Sequence, residues 1–132
     1  MARHAGGCHC GALKLEFETD APLAPRACRC SFCRERGARW VSDPAGSATL
    51  TVGPEATRYR FGTGTADFLI CGRCGSCIAA VQDGSLAVLN LNAFDDPHED
   101  LRGEPMDFDG ETADSRAARR RARWTPARIV ER

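Results

Sequence analysis

Eight cysteines, grouped as Cys8-His9-Cys10, Cys28-Arg29-Cys30-Ser31-Phe32-Cys33 and Cys71-Gly72-Arg73-Cys74 with Cys77 just beyond, constrain this chain more than any other feature. Cysteines this close together, beside Gly and Arg, suit a soft divalent metal better than disulfides, because tetrahedral zinc takes thiolates projected from tight turns. The N-terminal residues Met1-Ala2-Arg3-His4-Ala5-Gly6 hold no apolar stretch long enough for a signal-peptide core, which predicts a cytoplasmic protein with reduced thiols. No apolar run approaches the ~18 residues that a membrane helix needs. The longest is broken by Gln82, Asp83 and Asn90.

A length of 132 residues fits one domain, residues 1–132, with no repeat or low-complexity linker to divide it. Formal net charge is zero, so the chain as a whole has no electrostatic pull on nucleic acid or on an anionic membrane. Charges are nevertheless segregated. Acidic residues dominate from Asp95 to Asp114, and Arg116, Arg119, Arg120, Arg121 and Arg123 follow at once. The ordinary fate of such a run is a solvated helix partly neutralised by the acidic loop before it.

Between the clusters the pattern has a period of two. Leu13, Leu15 and Phe17 share a face against Lys14, Glu16 and Glu18, which predicts a half-buried strand. Thr57-Arg58-Tyr59-Arg60-Phe61 alternates likewise, and Ala48, Leu50 and Val52 share a face before the Gly53-Pro54 turn. Cys77–Gln82 and Ser85–Leu91 flank Asp83-Gly84, a dipeptide suited to the positive φ of a two-residue hairpin turn. A helix is expected only near the end, from about Ala113 to Arg123, capped by Thr112 and stopped before Pro126. The fold class expected is therefore mainly β, with short strands, zinc knuckles and one C-terminal helix.

Cys8 and Cys10 enter the strand containing Leu13, where residues i and i+2 point to one face, so both sulfurs can reach one metal while His9 points away. Cys71-Gly72-Arg73-Cys74-Gly75 has the form of a zinc knuckle, with Gly75 free to take positive φ. Two cysteines from each of these segments would close a Cys₄ site that contributes directly to folding. Cys28, Cys30 and Cys33 offer three thiolates, which leaves one tetrahedral position for a substrate atom unless Cys77 completes it. Spacing alone leaves open which cluster pairs with which. Cys77 can equally be a core strand residue or a redox-sensitive thiol.

Zinc with three thiolates carries a formal charge of −1, which makes it a poor generator of hydroxide and disfavours hydrolysis. A soft centre prefers a soft fourth ligand, such as the thiolate of a small thiol that attacks an electrophile. Arg29, Arg34, Arg36 and Arg39 lie in or after this motif and can offset the charge or grip carboxylates of a peptide thiol. No general base stands out. His4, His9 and His98 have no readable partner, and Glu35 is most simply an exposed carboxylate beside Arg36 or Arg39.

With Gly6-Gly7-Cys8-His9-Cys10-Gly11, Cys28-Arg29-Cys30-Ser31-Phe32-Cys33-Arg34 and Cys71-Gly72-Arg73-Cys74-Gly75-Ser76 in this order, the chain resembles the glutathione-dependent formaldehyde-activating enzyme family, also called the centromere protein V/Gfa domain. Asn90-Leu91, Asp95-Asp96-Pro97 and Arg123-Trp124-Thr125-Pro126 extend the likeness over nearly the whole length. The resemblance implies an Mss4-like fold of short antiparallel strands and two zinc ions. One is structural, carried onto Cys8, Cys10, Cys71 and Cys74, and one catalytic, carried onto Cys28, Cys30 and Cys33; with three ligands against four, the second site is expected to be the more labile. It also implies carbon–sulfur lyase chemistry, the founding activity being addition of glutathione to formaldehyde to give S-(hydroxymethyl)glutathione. The expected partners are thus a small thiol and an aldehyde or other electrophile. Two departures stand out: Arg29 replaces a common His, and Cys77 is extra.

The competing reading is a non-catalytic two-zinc module that recognises a protein or another partner. Nucleic acid is disfavoured there, because only Trp124 accompanies the arginine run on a neutral chain.

Overall fold

The chain, described over residues 1–132 by a computed structural model, runs β1 (Ala2–Gly7), β2 (Lys14–Thr19), β3 (Arg26–Cys28), α1 (Ser31–Arg36), β4 (Trp40–Val41), β5 (Ser47–Val52) and β6 (Ala56–Tyr59). It continues through β7 (Asp67–Cys71), β8 (Cys77–Gln82), β9 (Leu86–Asn90), a 3₁₀ turn (Leu91–Ala93), β10 (Glu104–Met106), α2 (Ala113–Arg123) and β11 (Thr125–Glu131). The architecture is mainly β, as the period-two pattern predicts. No helix is long and apolar enough to cross a membrane.

The alternation around Leu15 becomes β2, with Leu15 and Phe17 buried and Lys14 and Glu16 exposed, while Leu13 is buried just before the strand begins. β2 pairs antiparallel with β1 on one side and β5 on the other, which places Leu15 opposite Leu50 and Phe17 opposite Ala48. Burying each such side chain contributes roughly 1.5–3 kcal/mol. β9 is the hub of the remaining strands. One edge takes β8, then β7 and β6; the other takes the start of β11 at Leu86 and Ala87, and β4 at Leu89 and Asn90, followed by β3 and β10. Not every pairing is antiparallel. β5 with β11 and β3 with β10 run parallel, because β10 and β11 arrive through long connections that a hairpin cannot replace.

The hairpin expected at Asp83-Gly84 forms, with φ of 57° and 66° at those residues. Its loop is one residue longer than expected, since Gln82 pairs with Leu86. Ser85 leaves the ladder, and its carbonyl accepts the Ala127 N–H of β11 at 2.8 Å. The alternation in 57–61 gives a shorter strand, β6, which pairs only with β7 and forms a sheet edge.

Two local expectations are corrected. Cys8 and Cys10 lie in the connection between β1 and β2, not in a strand, and their sulfurs meet through a turn in which Gly11 donates to the Cys8 carbonyl at 3.0 Å with a φ of 84°. The Gly6-Gly7 pair permits this crowding, since a Cβ on Gly6 would overlap the Ala93 carbonyl and one on Gly7 that of Leu13. Secondly, α2 is not the only α-helix. The six residues of α1 are too few to show an apolar period, and its cap is Cys30, outside the usual Ser, Thr, Asp and Asn set.

The C-terminal helix α2 spans the predicted residues. The Thr112 hydroxyl accepts the Ser115 N–H at 3.0 Å and the Ser115 hydroxyl accepts the Thr112 N–H at 3.0 Å, a reciprocal cap. The chain then turns at Trp124 into β11, which the sequence pattern did not signal. Two apolar clusters result. Leu13, Leu50, Leu69, Ile78 and Leu89 belong to the larger one, behind the Cys8/Cys71 region. Phe32, Trp40, Phe68, Val88 and Trp124 belong to the second, which includes Cys33 and Cys77.

Candidate metal centres and the adjoining pocket

Cys8 and Cys10 from the β1–β2 turn meet Cys71 and Cys74 from the β7–β8 turn, with all four sulfurs within 4.8 Å of one another. The Cys8–Cys10 and Cys10–Cys71 sulfur separations are 3.7 and 3.6 Å. Zinc–sulfur bonds of about 2.3 Å in a tetrahedron put sulfurs about 3.8 Å apart, so the donor set fits such an ion. Backbone donors serve thiolates: the Leu13 N–H reaches Cys8 Sγ at 3.2 Å and the Arg73 N–H reaches Cys71 Sγ at 3.4 Å. Hydrogen bonding with the Ser76 hydroxyl draws the Cys74 thiol down to about 5. The knuckle closes with the Gly75 N–H on the Cys71 carbonyl at 2.8 Å, Gly75 holding a φ of 82°. His9 is exposed and outside the cluster.

Cys28, Cys30 and Cys33 form the second group of sulfurs able to hold a metal. The end of β3 presents Cys28, and the entry to α1 presents the other two. Cys30 caps the helix, its sulfur accepting the Cys33 N–H at 3.4 Å. Trp40 Nε1 donates to Cys33 Sγ at 3.3 Å. A hydrogen bond from Cys33 holds the Cys28 thiol down at about 5, and the same bond together with burial pushes Cys33 upward. Cys77 belongs to neither sulfur group. It is buried in β8 among apolar neighbours, where burial pushes its thiol up to about 11.

A pocket of about 590 Å³ opens beside the three cysteines. Trp40, Phe61, Phe68 and Trp124 supply aromatic lining, and Arg26, Arg29, Arg116, Arg119, Arg120 and Arg123 supply basic lining, the Arg120 guanidinium lying 4.8 Å from the Trp124 ring. Of the arginines expected near the motif, Arg29 is in the lining. Arg34 and Arg36 are exposed and outside it. The Arg36 guanidinium lies 3.8 Å from the centre of the Phe32 ring and donates to the Phe32 carbonyl at 3.3 Å. Arg39 instead ties down the loop after β9, donating to Asn92 Oδ1 at 2.6 Å and to the carbonyls of His98 and Leu101 at 2.8 and 2.7 Å. Neither Glu35 nor any histidine lines the pocket.

The pocket arginines of α2 are those that the charge pattern suggested were a solvated face. Glu111 does neutralise part of that face, as expected from the acidic loop, accepting from Arg116 Nε at 2.9 Å and Arg119 Nε at 2.8 Å. What the pattern could not convey is that one side of the helix faces the three cysteines. Arg26, an isolated residue before the motif, carried no signal at all.

Residues 3–108 match the family described as glutathione-dependent formaldehyde-activating enzyme. The crystal structure of a Rhodobacter sphaeroides protein is similar over 76% of this chain and 97% of that one, at 31% sequence identity and a TM-score of 0.64. The family match takes in both cysteine clusters and ends at Phe108, before α2. With four sulfurs joining two turns and three more beside a pocket, this chain belongs to the glutathione-dependent formaldehyde-activating enzyme family.

Proposed function

We propose that this protein is a zinc-dependent carbon–sulfur lyase that makes and breaks the adduct of a small thiol with an aldehyde, in the manner of an S-(hydroxymethyl)glutathione synthase. One zinc is structural, held by Cys8, Cys10, Cys71 and Cys74, and ties the β1–β2 turn to the β7–β8 turn. The other is catalytic, held by Cys28, Cys30 and Cys33. The observation that carries this reading is that three sulfurs, with no fourth protein sulfur among them, border a pocket whose lining includes six arginines. Bound there, zinc supplies a soft centre that lowers the pKa of a thiol.

The chain's own residues then have separable tasks. Arg29 and the arginines of α2 bind and orient the carboxylates of a thiol such as glutathione. Trp40, Phe61 and Phe68 exclude water from the apolar part of the lining. In the forward direction the thiolate sulfur attacks the aldehyde carbon, a carbon–sulfur bond forms, and the carbonyl π pair moves to oxygen, which takes up a proton. The reverse breaks that bond and releases the thiolate. Such additions already proceed in water, so holding both reactants in one pocket is the larger part of what the protein must supply.

The test is exchange NMR of glutathione, formaldehyde and S-(hydroxymethyl)glutathione at equilibrium, with protein carrying about two zincs per chain by elemental analysis. Interconversion should be faster than in buffer and fall to the buffer rate with Cys28→Ser. An exchange rate equal to that of buffer at full zinc occupancy would sink the proposal.

A further inference from the structure

Arg120 differs from every other arginine of α2 in being withdrawn from solvent, at 7% exposure, while still lining the pocket. Its Nη1 donates to Thr65 Oγ1 at 2.9 Å and to Gln82 Oε1 at 3.4 Å. Its Nε is buried and has no partner. It forms no ion pair, because the carboxylate of Glu111 is taken by Arg116 and Arg119. The Trp124 ring, 4.8 Å from the guanidinium carbon, offers only a weak substitute for an anion. Burial pushes its pKa down to about 10, helped by Arg119 and Arg116, so it remains cationic at neutral pH. A buried cation with neutral partners and an orphaned N–H is costly to keep unless something negative joins it.

We infer that Arg120 is the residue that recognises a carboxylate on the organic substrate of this pocket. The inference rests on the adduct reading above for placing that substrate beside Cys28. A planar guanidinium with free N–H groups matches a carboxylate, and the aromatic lining of Trp40, Phe61, Phe68 and Trp124 accommodates the apolar stem that carries it. Arg120 lies beyond the residues 3–108 that match the family, so this recognition belongs to the segment that folds back as α2 and β11. The selectivity is therefore for an acid over its ester or amide.

Calorimetry on the zinc-loaded protein tests this with S-methylglutathione, which keeps both carboxylates and has no free thiol, against its diethyl ester. The acid should bind at least about tenfold tighter. Arg120→Gln should cut that preference by about tenfold, leaving only what the other pocket arginines contribute at the second carboxylate, and Arg120→Lys should retain more of it. Equal binding of acid and ester by the unaltered protein overturns the inference even if Arg120→Gln fails to fold, as does a preference that Arg120→Gln leaves undiminished. Failure of the adduct reading is visible separately, by adding 2-mercaptoethanol to cobalt-substituted protein and recording the sulfur-to-cobalt absorption. A carboxylate preference without any thiol-induced change supports Arg120 as the anion site while overturning the adduct reading. A thiol-induced change without a carboxylate preference overturns the role of Arg120 alone.

Discussion

The indole N–H of Trp40 donates to the sulfur of Cys33 across 3.3 Å, linking β4 to the first turn of α1 in the lining of the pocket. Both residues are buried, so water does not compete for this bond. A donor on a thiolate disperses its charge and fixes the orientation of the side chain, and outer partners of this kind commonly set metal affinity. Trp40→Phe keeps an aromatic ring against Phe68, whose centroid lies 6.0 Å away, and removes only the donor and the second ring. Zinc bound by Cys28, Cys30 and Cys33 should then be held about ten- to a hundredfold less tightly. The four-cysteine site should be unchanged. Competition with a chromophoric chelator resolves the two sites; equal affinities in both proteins would mean that the bond has no bearing on the metal.

Cys77 is chemically suited to ligation, but its position argues otherwise. It begins β8 inside the second apolar cluster, and its sulfur is absent from both groups of converging sulfurs. Cys77→Ala should therefore leave the metal content of the protein unchanged in elemental analysis. Stability should fall by about 1 kcal/mol in urea denaturation, the effect of deleting one buried atom from a packed core. Loss of one metal equivalent would instead assign the residue to the Cys28 site and close its open position.

Those residues also mark the boundary of what the sequence reveals. The Cys28/Cys30/Cys33 group, the buried faces of Leu15 and Leu50, the Asp83-Gly84 turn and the Thr112 cap are local features, decided within a few residues by spacing, side-chain period, φ preference or capping chemistry, whereas the meeting of Cys8 and Cys10 with Cys71 and Cys74 is a long-range pairing that spacing left open and the family resemblance implied. Helix α1 escapes that logic because six residues with a cysteine cap give no period to detect. The basic lining of the pocket escapes it for a different reason. Arg121 is the solvated residue that a charge run suggests, whereas Arg120, its neighbour, meets Thr65 and Gln82 from distant parts of the chain. Which arginine turns inward depends on how α2 is seated by Trp124 and β11, a tertiary outcome with no local signature.

Glu111 provides the corresponding test of how α2 is held. Hydrogen bonds from Arg119, reinforced by Arg116 and opposed by partial burial, keep its carboxyl below the ordinary value of 4.5. A carboxyl whose pKa is depressed by folding stabilises the folded state fully above its unfolded pKa, and that contribution is lost as pH falls through the folded value. Glu111→Gln should therefore lower stability by about 1 kcal/mol at pH 7. The difference from the unaltered protein should hold down to about pH 5 and shrink below about pH 4.5, where the unfolded chain's carboxyl takes up its proton before the native one, whose pKa is held lower. Urea midpoints at pH 7, 5 and 3 measure this directly. A gap that is as large at pH 3 as at pH 7 would mean that Glu111 acts through shape and neutral hydrogen bonding, and that the charge of its carboxylate contributes nothing to seating the helix beside the pocket.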